Sequence, residues 1–396
     1  MKIYNLNLNI KQLLYIIIVY PFYKPYFFSV LGIMPFVNQL LFAISLIIIG
    51  LFYIIKLPRI NFNIGICFII FYYLLILVSS IISNSLNSEY YSLFAFSIGF
   101  GLLVNNSLKS KNEFLYFLSA IYFLLYIYVV TNLFTMLVYP NGIPSITNNI
   151  NFPQYVFGNT NSVIKVVLPG LCFAFLYDLL KFKKIRMKSW LLLLMVWITF
   201  INSWSVTAVI GCLVFTFFVV YKRSGKNLSF FNYFSMLVMS LVVFIMVVVL
   251  KHESNFLQNI VGLFGKSLTF SNRDVLWINA INSIKSSPIW GYGVQSSEVI
   301  WQYIGNVHGS HNYYLDTAFR GGLVSLVFLI IGLFYFGRNI SKCKNNLVKR
   351  VLIGTCCAYF VMWISEPFLS TEYLMFSIFF VLIPRIETIS TYYYDA

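Results

Sequence analysis

Long apolar segments separated by short polar ones run along almost the entire chain. The repeated unit is a run of about 20 apolar residues, the length a helix needs to cross about 30 Å of hydrocarbon. The breaks between the runs are rich in Asn, Lys, Arg and Pro. A bilayer tolerates backbone only when its hydrogen bonds are satisfied internally. Each run therefore predicts a membrane-spanning helix.

We count about twelve spans on this basis. They are placed at residues 11–33, 36–55, 64–82, 90–104, 114–138, 162–180, 190–221 (two spans), 233–250, 321–336, 351–364 and 373–383. The block 190–221 is divided because it exceeds one span and because Asn202–Ser205 suits a tight reversal. The predicted fold class is all-α, a polytopic membrane protein with one large external loop.

Composition excludes a soluble domain. The chain is 60% hydrophobic and only 10% charged, whereas soluble domains are about 25% charged. The net charge of +16 would suit a nucleic-acid partner. However, the basic residues fall mainly in short loops on alternate sides of successive spans, which is the positive-inside pattern. We therefore expect a lipid bilayer and no nucleic acid as partner, with both termini in the cytosol.

The polar residues divide the chain into three regions. Residues 1–250 form a predicted N-terminal membrane bundle of about nine spans, and residues 319–396 a C-terminal bundle ending in a short cytosolic tail. Between them lies the external loop 251–318, far longer than the other connections. Long loops in compact proteins are usually functional, so this loop is predicted to be catalytic.

The loop contains an amphipathic pattern. Its apolar positions recur at steps of three and four residues: Val275, Leu276, Ile278, Ile281 and Ile284. This spacing predicts a helix lying at the membrane surface. Ser271 or Asn272 can cap it, and Arg273 and Asp274 fall in its first turn. The segment Ser287–Gly293 then predicts a tight turn that ends the helix.

Three motifs in this region occur together. They are Arg273-x3-Trp277 in the surface helix, Pro288-Ile-Trp-Gly-Tyr-Gly293, and His311-Asn-x2-Leu-x5-Gly-Gly322 entering an apolar span. This combination resembles the O-antigen ligase and O-antigen polymerase superfamily over about residues 269–330. The stretch Asn202–Ala208 is similar to a Ser-Arg-Gly/Thr-like turn of that family but has no arginine.

The resemblance implies a membrane glycosyltransferase of the bacterial cytoplasmic membrane. The donor would be a glycan on undecaprenyl diphosphate, and a hydroxyl of a second glycan would attack its anomeric carbon at the outer face. The implied partners are lipid-linked glycans, with a chain-length regulator and a flippase as further candidates. No cofactor is expected.

Such a reaction needs cations to hold the diphosphate. Lys165, Arg273 and Arg320 are the candidates near the outer face. Each has an alternative structural role. Arg273 could pair with Asp274 and lipid headgroups, Arg320 could pair with Asp316 or reach phospholipid phosphates, and Lys165 could extend to the membrane interface.

The reaction also needs a group that orients or deprotonates the acceptor hydroxyl. His311 is the predicted base, because a histidine near pH 7 can be neutral and accept a proton. The neighbouring Asn312 and the nearby His308 are predicted to bind substrate. The alternative role for His311 is a capping or loop hydrogen bond. No third ligand accompanies the two histidines, so no metal is predicted; His252 is expected at the membrane interface.

The aromatic residues Trp290 and Tyr292 are predicted to stack on sugar rings. Aromatic side chains also collect at membrane interfaces without any ligand. Gly291 and Gly293 are assigned to turn geometry, and Glu366, which precedes Pro367, has no assignment.

The predicted activity is polymerisation of lipid-diphosphate-linked repeat units into capsular, exopolysaccharide or O-antigen chains. The first alternative is a ligase that transfers finished polymer to another acceptor. The second alternative, from a different class, is a flippase or transporter of lipid-linked sugar.

Overall fold

The computed structural model describes residues 10–55, 63–148, 153–221, 232–249 and 273–394. Apart from one isolated bridge between Tyr155 and Gly158, every regular element of these residues is helical. The helices are α1 Ile10–Tyr23, α2 Phe27–Val30, α3 Met34–Ile55, α4 Ile64–Ile82, α5 Ser88–Ser107, α6 Lys111–Val138, α7 Ser162–Phe182, α8 Met187–Ser203, α9 Val206–Val220, α10 Tyr233–Val243, α11 Arg273–Ser286, α12 Ser297–Ile304, α13 Tyr313–Gly337, α14 Asn346–Met362, α15 Glu372–Phe376 and α16 Ile386–Tyr394. Helix α10 continues as a π-helical turn over Phe244–Val249, and α15 continues through Ser377–Leu382 and Ile383–Arg385.

The all-α prediction is confirmed for the described residues, and the count of about twelve spans is not. Six of their helices are long and apolar enough to cross a membrane: Met34–Ile54, Ile64–Ile82, Lys111–Val138, Ser162–Phe182, Tyr313–Lys342 and Leu369–Tyr394. Four shorter apolar helices add to these, namely Ile10–Tyr23, Met187–Ser203, Val206–Val220 and Tyr233–Val249. The sides of the membrane to which the loops and termini face stay predictions.

The predicted reversal within 190–221 is confirmed. Helix α8 ends at Ser203, Trp204 adopts a left-handed φ of 46°, and α9 begins at Val206. The helix that contains the predicted span 321–336 begins earlier, at Tyr313. Gly321 and Gly322 lie at a break inside this helix. The apolar run in the sequence is shorter than the helix because the N-terminal part of the helix carries Asp316 and Arg320.

Asparagine side chains begin several of these helices. Asn63, Asn87, Asn312 and Asn345 each accept a hydrogen bond from a backbone N–H in the first turn that follows. The first N–H groups of a helix have no partner within it, so a short polar side chain at this position stabilises the helix by about 1 kcal/mol. The Asn-rich breaks in the apolar pattern are thus helix starts.

The last long helix lies at the centre of the bundle. From Leu374 to Ile383 its side chains are almost completely buried, and it packs against α4, α5 and α13. Helix α4 lies very close to this central helix, since a Cβ at Gly65 would lie 1.4 Å from the carbonyl oxygen of Phe380. The central helix therefore fixes the positions of the helices that carry the polar residues described next.

Candidate functional site

The turn after α11 is docked onto the break in α13. The non-helical backbone at Gly321–Gly322 frees carbonyl groups that the helix would otherwise use. The N–H of Tyr292 donates to the carbonyl of Phe319 at 2.8 Å, and the N–H of Gly293 donates to that of Arg320 at 2.8 Å. The predicted turn at Ser287–Gly293 is confirmed, and its backbone satisfies groups that would be costly to leave unpaired in an apolar setting.

The opposite side of the same turn is held by the connection between α4 and α5. Ser83 Oγ donates to the carbonyl of Gly291, Ser85 Oγ to that of Tyr292, and Asn87 Nδ2 to that of Val294. The turn is therefore clamped between two helix connections. This arrangement places its glycines in backbone roles, as their assignment to turn geometry predicted.

The two aromatic residues of this turn differ in their surroundings. The ring of Tyr292 stacks on Phe319 with centroids 4.9 Å apart, and its hydroxyl donates to the carbonyl of Ser283. Trp290 is partly exposed. Packing therefore accounts for Tyr292, whereas Trp290 retains surface for a ligand; sugar stacking by either stays a prediction.

The described part of helix α11 runs from Arg273 to Ser286, and the predicted capping residues Ser271 and Asn272 lie outside the described residues, as does His252. The buried face of the helix differs from the predicted apolar face. Trp277 and Ala280 are buried, whereas Val275 is 50% exposed. The helix packs on α12 and α13, so part of its apolar pattern serves packing within the protein.

Glu366 joins the two cations that sequence analysis assigned to substrate. One carboxylate oxygen lies 3.1 Å from Arg273 Nη2 and the other lies 3.8 Å from Lys165 Nζ. Arg273 also donates through Nη1 to the carbonyl of Ser365. The Glu366 side chain is 2% exposed, but those of Lys165 and Arg273 are 14% and 18% exposed. The cations thus share one buried carboxylate and still reach the surface of the site.

The turn between α8 and α9 lies against this group. Ser205 Oγ donates to the Oδ1 atom of Asn161, which precedes α7, and Thr207 is hydrogen-bonded to Ser365 at 3.1 Å. The turn without an arginine is therefore still part of the wall around Lys165 and Glu366.

His311 stands next to the two cations in a strained backbone conformation. Its φ is 55°, in the left-handed region that few residues other than glycine adopt. Its Nδ1 atom is buried and has no hydrogen-bond partner among the described residues. Burial is the main cause that lowers the pKa of His311 to about 3, and the charges of Arg273, Lys165 and His308 lower it further. The imidazole is consequently neutral at pH 7 and, without substrate, a weaker base than an ordinary histidine.

Asn312 begins α13 and ties it to the region of Glu366. Its side chain accepts from the N–H of Leu315 and donates to the carbonyl of Ile364. The residue is fully buried. These contacts give Asn312 a clear capping role, and its predicted contact with substrate stays a prediction.

The predicted helical pair between Asp316 and Arg320 is wrong. Arg320 Nη2 is ion-paired with Glu372 at 3.0 Å, and Asp316 instead accepts hydrogen bonds from the N–H and Oγ of Ser310. Glu372 also accepts from the hydroxyls of Tyr72, Tyr73 and Tyr313. The Arg320 side chain is 6% exposed, and it lines a small cavity together with Asp316 and His308.

His308 is exposed, and its backbone N–H donates to Asn306 Oδ1. Its charge contributes to the lowered pKa of His311. It therefore lies near the site, and its predicted contact with substrate stays a prediction.

A cavity of about 340 Å³ opens beside Lys165. It contains a second lysine, Lys24, at the point where α1 ends. Hydroxyl groups of Ser29, Ser92 and Ser370 and several aromatic rings complete its lining. The cavity thus continues from the Lys165 side of the site into the bundle.

Comparison with known proteins bears on this region of the chain. Residues 187–330 match the O-antigen ligase family. The resemblance to the O-antigen ligase and polymerase superfamily is confirmed. The chain is also 30% identical over 130 residues to the exopolysaccharide production protein ExoQ of Rhizobium meliloti, a match that covers 29% of this chain and 30% of that protein. No solved structure matches the chain.

The segment that matches the O-antigen ligase family supplies only part of the site. Arg273 and His311 lie within it, whereas Lys165, Glu366 and Lys24 lie outside residues 187–330. The sequence alone assigned no role to Lys24 or to Glu366. A carboxylate directly before a proline between two apolar runs was the available signal for Glu366, but its partners are distant in sequence.

Proposed function

We propose that the protein is a membrane glycosyltransferase that polymerises undecaprenyl-diphosphate-linked repeat units into a capsular, exopolysaccharide or O-antigen chain. The reaction would take place at the outer face of the bacterial cytoplasmic membrane. One observation carries the proposal: Lys165 and Arg273 share Glu366 near His311, whose Nδ1 has no hydrogen-bond partner among the described residues.

The cations supply the site for the leaving group. A diphosphate brings several acceptor oxygens, and charge-assisted hydrogen bonds from Lys and Arg to phosphate are strong when water is excluded. Since Lys165 and Arg273 share one carboxylate, an arriving anion finds positive charge that is only partly neutralised. Glu366 keeps the two side chains apart and oriented before substrate arrives.

His311 would take the proton. The acceptor hydroxyl oxygen forms a bond to the anomeric carbon of the donor, the bond from that carbon to the diphosphate oxygen breaks, and the lipid diphosphate leaves with the electron pair. The hydroxyl proton passes to the imidazole of His311. A bound diphosphate opposes the charges of Arg273 and Lys165, which lower the pKa of His311. Substrate binding would therefore shift this pKa upward, the direction that strengthens His311 as a general base.

A polymer assay tests the proposal. Membranes from a strain that lacks the chromosomal gene receive the full-length protein, and the lengths of lipid-linked glycans are compared on gels. We expect Arg273→Gln and His311→Asn to shorten or abolish the ladder. Asn tolerates the left-handed backbone of His311, and Lys285→Gln removes an exposed cation from the same helix as Arg273. Wild-type ladders in both site variants would rule out the assignment.

A ligase is the second candidate, because the matched family is described as O-antigen ligase. The deletion strain separates the two activities. Single repeat units accumulate when a polymerase is lost, whereas long unattached polymer accumulates when a ligase is lost. A flippase would move the lipid across liposomes without lengthening the glycan. A chain-length regulator and a flippase remain proposed partners.

A further inference from the structure

The cavity beside Lys165 has a charge that the proposed reaction does not use. Lys24 is half-buried in it, and no carboxylate of the described residues forms an ion pair with Lys24. Its nearest ring is that of Phe96, with Nζ 5.9 Å from the centroid. By contrast, the cation at the other side of the cavity, Lys165, is paired with Glu366. A partly desolvated ammonium without a counter-charge is a binding group for an anion.

The remainder of the lining suits a sugar. The hydroxyls of Ser29, Ser92 and Ser370 form no hydrogen bond to any other residue that the structure describes. Each can both donate and accept, as a sugar hydroxyl requires. The rings of Tyr26, Phe96 and others present apolar faces to the same space. A lipid tail would gain nothing from the free hydroxyls and the ammonium.

The position of the cavity determines which part of the substrate reaches it. Lys165 lines the cavity and is also joined through Glu366 to Arg273. A glycan whose reducing-end diphosphate lies between Lys165 and Arg273 can therefore extend into the cavity and bring a sugar substituent to Lys24.

From these observations we infer that Lys24 is a specificity-determining residue that binds the carboxylate of an acidic sugar in the repeat unit. The inference rests on the proposed function, since it assigns the substrate class of the same site. The substrate is thus a lipid-linked oligosaccharide that carries a uronic acid, and Ser29, Ser92 and Ser370 bind the hydroxyls of the same ring.

Binding measurements on the purified full-length protein in lipid nanodiscs test this inference separately from catalysis. The probes are a disaccharide that contains glucuronic acid, the matched disaccharide with glucose in its place, and inorganic pyrophosphate. We expect the wild type to bind the acidic disaccharide at least about tenfold more tightly than the neutral one, a difference typical of one favourable charge contact. Lys24→Met should remove this preference, and Lys24→Arg should retain it.

The neutral disaccharide and the thermal transition serve as controls for folding, because Lys24→Met keeps most of the side-chain volume. Equal binding of the two disaccharides by the wild type, or no binding of the acidic one, would overturn the inference. It would also be overturned if Lys24→Met weakened pyrophosphate binding instead, since the cavity would then hold the lipid diphosphate. If the wild type prefers the acidic disaccharide but produces no polymer, the Lys24 site is retained and the polymerase activity is rejected.

Discussion

The Nζ atom of Lys165 lies 3.8 Å from Oε2 of Glu366, a contact between the first turn of α7 and the segment that follows α14. Glu366 also holds Arg273. Three distant parts of the sequence therefore meet at one carboxylate, and this carboxylate both orients the cations and limits their charge.

Removal of the Glu366 carboxylate should destabilise the protein. Glu366→Gln leaves Lys165 and Arg273 without their partner, and breaking a buried ion pair typically costs about 3–5 kcal/mol. Because both cations retain some exposure, we expect a loss near or below the low end of this range. Thermal unfolding in detergent would measure it. The double variant Lys165→Met with Glu366→Gln should regain part of the loss, and no recovery would argue against a Lys165–Glu366 interaction.

The buried pair of Arg320 and Glu372 should affect folding more than substrate binding. Arg320→Met leaves Glu372 charged in an apolar centre, whereas Arg320→Met combined with Glu372→Leu removes both charges. We expect the single variant to lower the yield of folded protein and the double variant to restore much of it. Size-exclusion profiles after membrane extraction provide the comparison. A folded Arg320→Met protein with weakened pyrophosphate binding would instead assign Arg320 to the diphosphate site.

His311 should make stability depend on pH in a defined direction. Its pKa is lowered to about 3 in the folded protein, and an unfolded histidine titrates near its ordinary value of about 6.5. Between these values the unfolded chain binds the additional proton, so folding becomes less favourable as the pH falls from about 6.5 toward about 3. We expect the melting temperature of the wild type to fall more than that of His311→Asn over pH 7 to 4. Parallel curves for the two proteins would contradict the lowered pKa.

Gly322 should be intolerant of a side chain because the turn is docked at the helix break. A Cβ there would lie 1.9 Å from the carbonyl oxygen of Ile289, at a φ of +65°. Gly32 has a φ of +49° but no atom within 4 Å of the corresponding position. Gly32→Ala should therefore cost only the conformational strain of about 1–2 kcal/mol. We expect Gly322→Ala to be clearly more destabilising in the same melting assay, and equal effects would show that contact with the turn is unimportant.

The membrane character and the helical class follow from local pattern, and for this reason they could be predicted from the sequence. Apolar length predicts α4 and α7 closely, because each is a self-contained helix. The start of α13 was missed because Asp316 and Arg320 break the apolar pattern, and their partners, Ser310 and Glu372, become apparent only when the chain is folded. The same reason explains which site residues could be predicted. Arg273 and His311 lie in recognisable motifs, whereas the roles of Glu366 and Lys24 depend on neighbours that are distant in sequence.

The N-terminal part of α13, before the break at Gly321–Gly322, has one further consequence. It carries His311 just before its first turn and Arg320 just before the break, and both ends are fixed by other parts of the protein. Each residue advances a helix by about 100° and 1.5 Å. The length of helix between Asn312 and Gly321 is therefore fixed. An insertion before Ser310 would leave this length unchanged, whereas an insertion between Asn312 and Gly321 would rotate the imidazole of His311 relative to Arg320.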